Sequence, residues 1–84
     1  MQGTVVHHEY RIGYIVIRDN MNEYTVAELI NGDVAQKGDI VEGNLRVHGD
    51  AVLYNLTKGE LLQVYIQGFG MSEVASARII LNIR

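Results

Sequence analysis

The stretch "GDIVEGNLRVHGDAVLYNLTKGE", residues 38–60, decides the fold. From Ile40 to Val47 its side chains alternate: Val41, Gly43, Leu45 and Val47 fall on one face of an extended chain, and Glu42, Asn44, Arg46 and His48 on the other. A strand with one face in a core and one in water reads this way. "HGD" at His48–Asp50 and "KG" at Lys58–Gly59 supply residues that tolerate positive φ, so each predicts a tight turn. "AVLYNL" (51–56) and "LLQVYIQ" (61–67) then follow as antiparallel partners.

Outward from this hairpin the same signals continue. "GTVVHHEY" (3–10) and "IGYIVIR" (12–18) are rich in β-branched and aromatic residues, with Gly13 between them as a bend or bulge. In the second of these strands Ile15 and Ile17 alternate with Tyr14, Val16 and Arg18. "DNMNE" (19–23) is a turn by its Asx content, and "YTVAELI" (24–30) is the third strand of a meander. "NGD" (31–33) ends that strand, and "VAQKGD" (34–39) crosses to the hairpin without helical periodicity.

After "GFG" (68–70) the pattern changes. Ser72 and Glu73 have the form of an N-cap with an acidic first turn, which predicts a helix from about Ser72, with Val74, Ala77 and Leu81 on one stripe. The isoleucines of "RIILNI" fit a strand as well, so both readings stand. "GFGMS" (68–72) lacks the lysine and full spacing of a phosphate-binding loop and reads as a flexible hinge. The chain is therefore expected to be mainly β: a small antiparallel β-barrel, OB-like, of about five to six strands, with a C-terminal helix. Residues 1–84 form one domain, with the barrel over 2–67 and the helical segment over 71–84.

Composition narrows the function. With 84 residues, 48% of them hydrophobic, and no cysteine, the fold rests on apolar burial alone, and zinc–cysteine sites, disulfides and cysteine nucleophiles are excluded. The net charge of −3 opposes a general electrostatic grip on nucleic acid. No stretch approaches the ~20 apolar residues of a membrane span, and "MQGTVVHHEY" lacks the basic start and apolar run of a secretory signal, so a cytoplasmic protein without a membrane partner is expected.

The order of elements resembles an OB barrel of the cold-shock type over residues 2–67. In that family an opening "GTV" and a glycine-bounded fourth strand recur, and Gly3–Val5 and Gly38–Gly43 match them in type and order. The resemblance implies a barrel that binds single-stranded nucleic acid. The chain departs from the family where the ligand would stack: its second strand keeps only Arg11, Gly13 and Tyr14 of the aromatic, lysine- and glycine-rich pattern. Its third strand, "YTVAELI", offers Tyr24 as the single aromatic and adds Glu28.

The candidate nucleic-acid-binding residues are Tyr10, Arg11, Tyr14, Arg18 and Tyr24, because bases stack on aromatic rings and arginine adds charge. Against them stands the common role of tyrosine at a barrel rim, ring buried and hydroxyl wet. His7 and His8 are adjacent on a strand and point to opposite faces unless the strand is bulged, so they are not expected to chelate one ion together, and no metal or other cofactor is expected. Ser72 and Ser76, the only serines, lie in the helical segment with no histidine near in sequence and no nucleophile elbow, so no catalytic residue and no enzyme activity are expected. The C-terminal segment is apolar nearly all round, and Val74, Ala77, Ile80 and Leu81 are its candidate interface residues, toward a second copy or another protein. Two functions are thus expected: a non-enzymatic OB-type module for single-stranded nucleic acid, or an interaction module that dimerises or docks through its C-terminal segment.

Overall fold

The computed structural model describes residues 1–32 and 34–83; Asp33 of the "NGD" turn and Arg84 at the end of the 71–84 segment lie outside the described residues. Among the described residues the chain forms β1 (Gln2–Glu9), β2 (Tyr14–Asp19), β3 (Tyr24–Leu29), β4 (Ile40–Glu42), β5 (Gly49–Asn55), β6 (Glu60–Met71) and α1 (Glu73–Asn82). The strands close into an antiparallel barrel in the order β1-β2-β3-β6-β5-β4, with β4 returning to β1. Closure gives every strand a neighbour on both sides, with the short β4 pairing with Gln2–Thr4 of β1 and with Tyr54 and Asn55 of β5.

The alternation of each strand sets what fills the barrel. Val5, Ile15, Ile17, Val41, Leu53, Leu62, Val64 and Ile66 point inward and are fully or almost fully buried, joined by Ala27, Ala35 and Leu45. Tight closure is visible at Gly3, where a Cβ would lie 2.5 Å from Ile17 Cγ2 and 3.0 Å from the Arg18 carbonyl oxygen. Only glycine lets β1 approach β2 there. A register shift between Val5 and His7 gives β1 a bulge.

Three expectations are corrected. The strand expected over Ile40–Val47 stops at Glu42. Gly43 takes φ 152°, and Asn44 Oδ1 then accepts a hydrogen bond from the Arg46 amide at 2.9 Å, so a side-chain turn replaces the ladder. The inside–outside alternation nevertheless persists, with Leu45 buried and Asn44 and Arg46 exposed. Second, "GFGMS" is no hinge: Gly68–Met71 continue β6, whose register against β3 shifts between Tyr24 and Val26 and again between Val26 and Ala27. Third, the "HGD" turn yields early to strand, since β5 begins at Gly49, whose φ is 96°. The ambiguity at "RIILNI" resolves as helix.

A polar network around Asp39 lies inside this frame. Asp39 is buried; its Oδ2 accepts from the Gln36 amide and from Asn55 Nδ2, both at 2.9 Å, and its Oδ1 from Lys58 Nζ at 3.2 Å. Burial pushes its pKa up, but the hydrogen bonds from Asn55, Gln36 and Lys58 outweigh that and hold it below the usual carboxylate value. The network ties the 34–39 connector to the β5–β6 turn.

Candidate functional site

The helix α1 carries the main surface feature. Ser72, extended at φ −74° and ψ 163°, caps it: the hydroxyl oxygen accepts from the Ala75 amide at 3.1 Å, and Glu73 places a negative charge in the first turn. The helix does not enter the barrel. It lies against the outside wall, where Ile80 packs with Tyr14, Val16 and Val26 to make a second, smaller core, edged by Val6, Tyr24, Met71 and Ile79. The helix covers the outer faces of β2 and β3 at Tyr14, Val16 and Val26, so Tyr14 and Val16 are buried although they alternate with the inward Ile15 and Ile17. Gly68 makes room for this packing, since a Cβ there would stand 2.6 Å from Met71 Cε and 3.8 Å from Ile79 Cδ1.

Half of the helix remains uncovered. Val74 and Leu81 are 61% and 79% exposed, and Ala77 between them is exposed too. Beside this stripe runs a groove of about 450 Å³, walled by Val6, Val16 and Tyr24 from the barrel and by Ala77, Ile80 and Leu81 from the helix. His7, Glu9 and Glu73 add polar atoms to its lining. Of the four residues expected to form an interface, Val74, Ala77 and Leu81 thus share an exposed surface, while Ile80 is spent on the chain's own barrel.

The five residues expected to bind nucleic acid are distributed differently. Tyr10 and Arg11 are exposed in the turn after β1, and the Tyr10 ring stacks on His8 with 3.8 Å between centroids and 17° between planes. Tyr14 is only 8% exposed and its hydroxyl accepts from Gln67 Nε2 at 3.3 Å; burial, helped by the charge of Glu28, raises its pKa despite that hydrogen bond. Arg18 is exposed at the far end of β2, directly across the ladder from half-buried Tyr24. The five make two separate pairs, Tyr10 with Arg11 and Arg18 with Tyr24, with Tyr14 sunk between them.

The histidines also separate. His7 Nε2 lies 3.3 Å from Glu9 Oε1, while His8 Nδ1 donates to the Ala35 carbonyl at 2.7 Å. Among the described residues, no three histidine or carboxylate side chains converge in a way that holds a metal ion. Tyr54 and Tyr65, outside the five candidates, are each 41% exposed on β5 and β6, and the alternation in "AVLYNL" and "LLQVYIQ" is the signal that places both on the outer face.

These features define a closed six-strand antiparallel β-barrel, compatible with an OB-like barrel, with one C-terminal helix on its outer wall. None of the described helices is long and apolar enough to cross a membrane. Comparison with protein-family models, with curated proteins and with solved structures found no match for the chain.

Proposed function

We propose that the chain is a non-enzymatic assembly module that pairs with a second copy of itself through α1. The observation that carries this reading is the uneven use of the helix. Ile80 is buried against β2 and β3, while Val74, Ala77 and Leu81 form an exposed stripe that borders an apolar groove. Small Ala77 at the middle of the stripe allows two helices to approach closely, and an antiparallel pairing puts Leu81 of one copy against Val74 of the other. Covering such side chains gives about 2 kcal/mol each. Association costs at least ~4 kcal/mol, so the expected dimer is weak and depends on concentration. Sedimentation equilibrium of the wild type and of Leu81→Asp tests the reading: a reversible rise toward twice the chain mass of 9.4 kDa in the first and its loss in the second are expected. A wild type that stays monomeric up to about 1 mM contradicts it.

The second reading, a module for single-stranded nucleic acid related to the cold-shock type, draws on Arg18 standing opposite Tyr24 and on the exposed Tyr10. Its weakness is the cover that α1 gives to the β2–β3 face, which is where an OB barrel ordinarily binds such ligands. Fluorescence anisotropy with labelled single-stranded DNA and RNA at low salt separates the two readings. Binding lost in Tyr24→Ala with Arg18→Ala supports the nucleic-acid module, and absence of binding leaves the assembly module.

A further inference from the structure

The barrel closes through β4, which pairs with both β1 and β5, and a partner lying across its wall meets the outward side chains. On β5 and β6 those side chains are apolar and aromatic to a degree that a solvated wall does not require. Val52 and Tyr54 are 56% and 41% exposed, Leu61 and Tyr65 63% and 41%. The ladder fixes their arrangement. Tyr54 stands between Leu61 on β6 and Glu42 on β4, and Tyr65 between Asp50 on β5 and Glu28 on β3.

Each ring thus has a carboxylate as a direct cross-strand neighbour, and none of these neighbours is a lysine or arginine. A π-face beside a carboxylate attracts cations and repels phosphate. Because Tyr65 pairs with Asp50, and Tyr54 lies four residues further along β5, the two rings are about 14 Å apart at the rise of an extended strand. Val52, directly opposite Gln63, occupies the ground between them. Next to Asp50 a depression of about 430 Å³, with Ile30 and Val52 in its lining, gives an alkyl stem somewhere to lie while its head reaches the carboxylate.

The geometry points to a docking surface on the outer face of β5 and β6 for an extended segment of a partner protein that carries lysine or arginine at both ends of a five-residue stretch and an apolar side chain at its centre. In an extended chain the first, third and fifth side chains project from one face and span about 14 Å, which matches the spacing of the two tyrosines. The cations meet Tyr65 with Asp50 and Glu28 at one end, and Tyr54 with Glu42 at the other, while the central apolar side chain covers Val52. None of these residues belongs to the stripe on α1, so this surface stands or falls independently of self-association.

The test uses a fluorescein-labelled peptide of sequence Gly-Lys-Ser-Leu-Ser-Lys-Gly, titrated with the full chain and followed by anisotropy. Saturable binding with a dissociation constant below about 1 mM at low salt, weakening as salt rises, is expected. Tyr54→Ala and Tyr65→Ala should each weaken it by about two- to fivefold, and Asp50→Asn should weaken it as well. Leu81→Asp should leave it unchanged. The exposed positions make these variants compatible with the fold, which circular dichroism checks. Absence of saturable binding at low salt overturns the proposal, as does equal binding by the peptide with glutamate in place of both lysines. Unchanged affinity in folded Tyr54→Ala and Tyr65→Ala, or a dimer that dissociates in Tyr65→Ala but not in Leu81→Asp, overturns it too, the latter by assigning the face to a second copy.

Discussion

Asp39 illustrates what a single side chain contributes here. Its folded-state pKa lies below the ordinary value of 3.8, so its contribution to stability is present above that value and is lost as pH falls through the lower, folded one. Urea unfolding of the wild type at neutral pH and at about pH 2 should therefore lose more stability than the same pair of measurements on Asp39→Asn. Asp39→Ala should cost about 1–3 kcal/mol at neutral pH, because the Gln36 amide and Asn55 Nδ2 are left without their acceptor. Nothing in local sequence marks this role, since Asn55 and Lys58 reach Asp39 from 16 and 19 positions away. Gly3 is the opposite case: it stands in the opening "GTV" that the sequence itself singles out, and it is packed against Ile17. Gly3→Ala should cost about 1–3 kcal/mol in urea unfolding, because backbone and Ile17 must both move.

Among the elements, α1 links capping to packing. Ser72→Ala should cost about 1 kcal/mol by removing the bond to the Ala75 amide. Ile80→Ala should cost about 2–4 kcal/mol, and amide hydrogen exchange should show α1 deprotected before the barrel strands. The cap of α1 was legible at Ser72 because it is a local pattern, and so were the turns at Asp19–Glu23 and Lys58–Gly59. What was not legible came from tertiary context. The early end of β4 follows from φ at Gly43 and an Asn44 turn, which alternation alone does not register. The passage of β6 through "GFG" follows from pairing with a bulged β3, where glycines ease close approach instead of ending the strand. Tyr14 could be assigned to an outward face from its alternation with Ile15, but not its burial, which needs a helix 66 positions later in the chain, counted from Tyr14 to Ile80, to fold back over it.

At the level of the whole molecule, the barrel and α1 divide the surface into a covered β2–β3 wall, an apolar stripe on the helix and an aromatic, acidic face on β5 and β6. With α1 docked, the β2–β3 wall is covered at Tyr14, Val16 and Val26, and the stripe on the helix is open. The most direct measurement is sedimentation equilibrium of the full chain across a wide concentration range, beside Leu81→Asp. The account predicts reversible association of the wild type toward twice the 9.4 kDa chain mass and a monomeric, equally stable variant. A wild type that remains a monomer throughout, or a Leu81→Asp variant that associates as well as the wild type, would contradict it.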